Sequence, residues 1–77
     1  MKLWLISQEV NPGYDTFDAA IVAADTEADA RLINPEGEWR ESYSSWAMTP
    51  EQVTVKLIGE AAQGIEAGVV LASFNAG

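Results

Sequence analysis

The sequence contains neither cysteine nor histidine. Without cysteine the chain has no disulfide bonds and no thiolate chemistry, which fits a reducing cytoplasm. Without histidine it lacks the commonest metal ligand and the usual general base near neutral pH. We therefore expect no enzymatic activity, no metal site and no cofactor.

Positive charge is also scarce. Twelve acidic residues stand against four basic ones, so the formal net charge is −8. The basic residues are scattered along the chain as Lys2, Arg31, Arg40 and Lys56. Such a chain repels nucleic acid phosphates and anionic membranes, so direct binding to either is not expected. A protein partner with a basic surface is expected instead; the alternative is that the acidic charge only provides solubility.

Long apolar runs are missing as well. The run Leu3 to Ile6 is shorter than the roughly 7 to 15 residues of a signal-peptide core. No stretch approaches the ~18 apolar residues of a membrane span. A chain of 77 residues has no spare apolar mass for a second core. We expect a single domain over residues 1–77 that stays in the cytoplasm.

The chain is organised around a strand that leads into a capped helix. Ala19 to Ala24 is a short apolar run with a β-branched pair, which is typical of a strand buried on both faces. Thr26 is placed to accept a hydrogen bond from the backbone N–H three residues later. A helix is predicted from about Glu27 to Ile33, with Ala28 and Leu32 facing a sheet.

The remaining patterns predict three more strands. Met1 to Val10 is apolar on both faces and reads as a central strand, whereas Val53 to Glu60 alternates like a half-exposed one. Thr49 to Gln52 has the chemistry of a one-turn helix start, and Val69 to Phe74 is the last strand. This order predicts an α+β fold: two hairpins in a mostly antiparallel four-stranded sheet (β-β-α-β-β), with one short helix packed on one face.

The loop before the second strand carries the first candidate site. Asp15 and Asp18 flank Phe17, and paired carboxylates can bind a cation or act as an acid and a base. No glycine-centred calcium motif accompanies them. The structural alternative is that Asp15 or Thr16 caps the turn by a side-chain hydrogen bond, while Tyr14 and Phe17 pack under it.

The irregular segment from Asn34 to Met48 carries the second candidate site. Trp39, Tyr43 and Trp46 fall at i, i+4 and i+7, which fits a short amphipathic helix or a loop pinned by its rings. Such rings supply binding energy, and neighbouring carboxylates steer a basic partner. Alternatively the rings belong to the core, with Trp46 the most buried and Trp39 the most exposed.

Sequence motifs for catalysis do not occur. The serines lie in no G-x-S-x-G or S-x-x-K pattern, and no phosphate-binding G-K-[ST] follows Gly59 or Gly64. We therefore assign no catalytic residue. The candidate partner-binding residues are Tyr14, Asp15, Asp18, Glu36, Glu38, Trp39, Glu41 and Tyr43.

The stretch N-P-G-Y-D-T-F-D-A-A-I-V-A-A-D-T-E-A-D-A-R and the closing G-V-V-L-A-S-F-N-A-G resemble a family of small bacteriophage and prophage proteins. The resemblance covers residues 1–35 and the last ten, and residues 36–48 lie outside it. It carries over no functional residue, because the family has no established activity. It implies a phage accessory protein in the bacterial cytoplasm. Such proteins are often inhibitors of host machinery, including anti-CRISPR and other anti-defence proteins.

Two functions follow from this context. The first is an acidic inhibitor that occupies a protein surface which normally holds nucleic acid. The second is a structural or housekeeping phage protein that forms a small homo-oligomer by pairing exposed sheet edges.

Overall fold

The computed structural model describes residues 1–39 and 44–75. In these residues the elements are β1 (Lys2–Ser7), β2 (Thr16–Ala24), α1 (Glu27–Leu32), a 3₁₀ turn (Pro50–Gln52), β3 (Thr54–Glu60) and β4 (Gly68–Asn75). The strands form a four-stranded antiparallel sheet, and α1 packs on one face of it. The predicted α+β class is confirmed.

The strand order is β3-β1-β2-β4, which differs from the predicted pair of hairpins. β1 and β2 do form a central hairpin, paired from Lys2↔Ala24 to Ser7↔Ala19. β3 adds to the free edge of β1 and β4 to the free edge of β2, so the last two strands lie at opposite edges. This order places the two strands with the most apolar sequence at the centre of the sheet and the more polar β3 at an edge, where water reaches it.

One face of the sheet carries the core. Cross-strand partners lie on the same face, as do residues two apart along a strand. This covered face presents Trp4 and Ile6 from β1 and Ala20, Val22 and Ala24 from β2, all buried. α1 and the segment around Trp46 pack against it.

The other face, called here the open face, is defined by Leu3, Leu5 and Ser7 of β1 and by the positions paired with them across the sheet. Its centre is half-buried at Leu5 and Ile21, and Leu71 on β4 is 65% exposed. Ala23 at one end is fully buried. The open face comprises Leu3, Leu5, Ser7, Ala19, Ile21, Ala23, Thr54, Lys56, Gly59, Gly68, Leu71 and Ser73.

The predicted cap of α1 is confirmed. The Thr26 side chain accepts a hydrogen bond from the Asp29 N–H at 3.1 Å. Thr26 has extended backbone geometry (φ −133°, ψ 162°), as an N-cap residue should. The local sequence is therefore sufficient to start this helix.

The predicted packing face of α1 is wrong. Ala28 is exposed and Leu32 is 59% exposed, whereas Ala30 is fully buried and Ile33 packs against the core. Two features set this rotation: the small Ala30 allows a close approach, and the Arg31 guanidinium donates a hydrogen bond to the Val53 carbonyl. A six-residue helix is too short for its apolar pattern to override such contacts.

Trp46 completes the cover of the core. It is fully buried, and its Nε1–H finds no acceptor among residues 1–39 and 44–75, so within them it contributes by apolar burial. Trp4 is 7% exposed and donates its Nε1–H to the Ala24 carbonyl at 3.0 Å, whereas Trp39 is half-buried against the core. The predicted burial of Trp46 is thus confirmed, whereas Trp39, the ring expected to be the most exposed, is half-buried. No helix occurs in the described parts of 34–48, which favours a loop pinned by its rings.

Replacing Trp46 with Ala should lower the free energy of unfolding by about 3–5 kcal/mol, because it removes the largest fully buried side chain and leaves a cavity. Urea denaturation measures this loss against an expected total of roughly 4–11 kcal/mol. The control Leu32→Ala, at a mostly exposed position on α1 outside the open face, should cost less than about 1 kcal/mol. Equal losses in the two variants would contradict the role given to Trp46.

Candidate partner-binding surface

The turn between β1 and β2 projects Tyr14 into solvent, where its side chain is 78% exposed. Asp15 has a left-handed backbone (φ 59°), and its N–H donates to the Asn75 carbonyl at 2.5 Å. The Thr16 hydroxyl donates to the Gly13 carbonyl at 2.8 Å. The predicted cap by Thr16 is confirmed. The predicted packing of Tyr14 under the turn is wrong, because the buried Thr16 occupies the inner side of the turn instead.

Phe17 and Asp18 follow at the start of β2. The Phe17 ring packs edge-on against Phe74, with centroids 4.7 Å apart and an interplanar angle of 62°. Asp18 is the extra residue of a β-bulge opposite Phe74 and Ser73, and it is exposed. Bulges of this kind redirect a side chain at a strand end. Asp15 and Asp18 therefore both face water, and no cluster of three or more potential metal ligands occurs in the described chain.

Asn34 builds the second candidate loop. Its Oδ1 accepts from the Glu36 N–H at 2.8 Å, and its Nδ2 donates to the Glu38 carbonyl at 2.9 Å. The Gly37 N–H donates to the Asn34 carbonyl at 2.9 Å, and the φ of Gly37 is +106°, a value that favours glycine. This turn exposes the Glu38 side chain and turns Trp39 toward the core.

The segment 44–46 connects this loop to the rest of the surface. One carboxylate oxygen of Glu36 accepts hydrogen bonds from the Ser44 hydroxyl and the Ser45 N–H, both at 3.1 Å. The Ser44 hydroxyl also accepts from the Trp46 N–H at 3.0 Å. Glu36, predicted as a partner-binding residue, is therefore half-buried and holds the loop in place.

The same segment is bound on its other side by the β1–β2 turn. The Phe17 N–H donates to the Ser45 carbonyl at 2.6 Å. The Asn11 side-chain amide donates to the Ser44 carbonyl and, at 3.3 Å, to the Trp46 carbonyl. Two loops that are far apart in sequence are thus joined into one surface, which sequence reasoning did not predict.

We call the surface formed by Tyr14, Asp15, Asp18, Glu36, Glu38 and Trp39 the two-loop surface. Within it Tyr14, Asp15, Asp18 and Glu38 are exposed, whereas Glu36 and Trp39 are half-buried. Glu41 and Tyr43, also predicted as partner-binding residues, lie outside the described residues.

Sequence reasoning also missed Gln8 and Asn11, which organise the turn from inside. Gln8 is 5% exposed; its Nε2 donates to the carbonyls of Asn11 at 3.0 Å and Phe17 at 2.9 Å. Its Oε1 accepts from the Asn11 N–H at 2.8 Å. The available signal was a pair of amide side chains flanking a turn, where they satisfy backbone groups.

The acidic charge extends beyond the two-loop surface. Glu27 and Asp29 lie in the first turn of α1, and Glu51 lies in the 3₁₀ turn. Among the described strands, the paired positions of the open face hold one charged residue, Lys56, and no acid. The described acids are therefore neither gathered at one spot nor spread evenly, since none occupies a paired position of the open face.

Comparison with protein-family models, curated proteins and solved structures found no match. Within the described residues, no helix is long and apolar enough to cross a membrane. A functional proposal for this chain therefore depends on its geometry and charge.

Replacing Asn11 with Ala should lower the free energy of unfolding by about 1–3 kcal/mol, because it removes the Asn11 donor from the Ser44 carbonyl and one of two donors from the Trp46 carbonyl. Hydrogen exchange should quicken at the Phe17 and Ser45 amides. In the matched control, Asn75→Ala, only an exposed bond to the Gly13 carbonyl at 3.1 Å is lost, so little change is expected. Unchanged exchange at both amides in Asn11→Ala would show that Asn11 does not hold the loops together.

Proposed function

We propose that this chain is a non-enzymatic binding module that blocks a basic, nucleic-acid-handling protein through the two-loop surface. The observation that carries the proposal is Tyr14, 78% exposed and followed by two exposed carboxylates, Asp15 and Asp18. An exposed aromatic ring provides binding energy, and adjacent carboxylates attract a cationic partner.

The rigidity of this surface supports the proposal. Asp15 is hydrogen-bonded to the last strand through its N–H, and Glu36 is fixed by two donors from the 44–46 segment. A surface ordered before binding loses less conformational entropy when the partner arrives. The two-loop surface is therefore suited to a stoichiometric inhibitor.

The net charge supports the choice of partner. A protein of formal charge −8 is attracted to surfaces lined by Lys and Arg, and association between them is fast and sensitive to salt. Proteins that bind DNA or RNA carry such surfaces. Together with the phage-type resemblance, this supports our proposal that the target is a host defence complex of the bacterial cytoplasm and that the role is anti-CRISPR or other anti-defence by nucleic acid mimicry.

The exclusion of enzymatic activity is part of the proposal. The chain has no histidine or cysteine, so a catalytic acid or base would have to come from its carboxylates. Asp15 and Asp18 are both exposed rather than enclosed in a cleft with other polar groups. A binding role needs neither a cofactor nor a metal at these residues.

The second candidate is a structural or housekeeping phage protein that forms a small homo-oligomer and inhibits nothing. Exposed apolar side chains at both sheet edges favour it: Leu57 on β3 is 51% exposed and Val69 on β4 is 44% exposed. Such a protein would retain only copies of itself from a host lysate, whereas the inhibitor would retain a nucleic-acid-binding complex.

The double variant Asp15→Asn/Asp18→Asn should weaken binding to the host target about tenfold or more, because it removes the carboxylates beside Tyr14. Asparagine tolerates the left-handed backbone at position 15, so the turn should survive. The measurement is a pull-down from bacterial lysate at low and high salt. Mass spectrometry then identifies the target, and titration gives the affinity.

The matched control is Glu51→Gln/Glu66→Gln, which has the same net charge as the first variant but leaves the two-loop surface intact. It should bind like the unmodified protein. Equal weakening in both variants would mean that net charge alone attracts the target. Retention of no nucleic-acid-handling protein at low salt would overturn the proposal.

A further inference from the structure

The open face bears a continuous apolar row across its middle. Leu5 on β1 pairs with Ile21 on β2, and Ile21 pairs with Leu71 on β4. These three side chains therefore stand side by side on one face. Leu71 continues the row onto the edge strand β4, where it is 65% exposed.

The relief of this face suits interdigitation. A shallow groove of about 390 Å³ lies along it, and its lining includes Leu5, Ala19, Ile21, Leu71 and Ser73. The small Ala19 and Ser73 are paired with each other in the next row of the same face, two residues along their strands from Ile21 and Leu71. Large and small side chains in adjacent rows form the ridges and hollows by which two sheets pack face to face.

We propose that the open face is the interface of a homodimer, in which two copies of this chain stack their sheets into a β-sandwich with the helices outside. The area supports a second copy as occupant. Four strands about 4.8 Å apart, paired over about six residues of ~3.3 Å each, give a face of roughly 20 × 20 Å. Two such faces amount to roughly 800 Å² in projection. The side chains that project from them bring the buried accessible area to on the order of 1,000 Å², the minimum expected of a stable interface.

Charge favours a second copy over other occupants. At its paired positions in the described strands, the open face holds Lys56 as its single charged residue, on an edge strand where the ammonium can reach water. The chain elsewhere carries twelve acids, so a basic protein is drawn to the other surfaces. A second copy can bring the acid-free paired positions of its own open face to this one, with Asp18, the exposed bulge residue next to Ala19, at the end of the face.

Edge-to-edge pairing, the alternative route to a dimer, is disfavoured by the strands themselves. β3 contains an extra residue, Ile58, between the partners of Leu3 and Trp4. β4 contains an extra residue, Val70, between the partners of Ile21 and Val22. Each bulge interrupts the regular row of backbone groups that a further strand would need.

The dimer does not depend on the proposed function, because none of the residues of the two-loop surface belongs to the open face. The test is the mass of the full chain in solution by sedimentation equilibrium over a range of protein concentrations. The unmodified protein should populate a dimer at micromolar concentrations. High salt should leave an apolar interface intact, whereas it should release a partner bound through carboxylates.

Leu71→Asp should weaken the dimer at least about 30-fold, since it puts a charge into the apolar row of the interface, next to Ile21. The control Leu57→Asp adds the same charge to an edge strand on the covered side, opposite Trp4, and should leave the dimer intact. Circular dichroism checks that both variants fold. If Leu71→Asp does not fold, the milder variant Leu71→Ser replaces it and is expected to weaken the dimer less.

Three outcomes would overturn the dimer proposal. The first is an unmodified protein that stays monomeric at hundreds of micromolar. The second is a dimer whose stability is unchanged in Leu71→Asp or Leu71→Ser, when that variant is correctly folded. The third is a dimer broken by Leu57→Asp alone, which would mean that the copies pair by their edges.

Discussion

The burial of the Trp46 indole is the interaction on which the rest of this structure depends. A six-residue helix covers only part of a four-stranded sheet, and Trp46 fills much of what remains. Once the indole is buried, the backbone of residues 44–46 is fixed beside it. That backbone in turn receives hydrogen bonds from Asn11 and Phe17 and donates to Glu36. Core packing and the shape of the two-loop surface are therefore set by the same segment.

Features decided within a few residues were predictable from the sequence. The Thr26 cap, the buried β2 and the central place of β1 rest on local chemistry and apolar patterning. The strand order and the rotation of α1 were not predictable in this way. They depend on contacts between distant residues, such as the hydrogen bond from Arg31 to the Val53 carbonyl, and these leave no periodic mark in the sequence.

The candidate surface was likewise predictable from the sequence only in part. Composition correctly indicated that Asp15, Asp18 and Glu38 would be exposed. It did not indicate that Glu36 would hold a loop in place, and it left open whether Tyr14 would bind a partner or pack under the turn. The partners of Glu36 include a backbone amide, and any residue but proline can supply such a partner, so the pairing has no signature. The roles of Glu41 and Tyr43 stay predictions.

The strand order also has a consequence for the growing polypeptide. β1 and β2 are synthesised first and pair with each other, but β3 and β4, which close the outer edges of this hairpin, are synthesised only after α1 and the Trp46 segment. Until then an apolar hairpin is left with unpaired backbone on both sides, the form of chain that associates with other nascent chains. Rapid completion of synthesis therefore shortens the time for which these two edges are open.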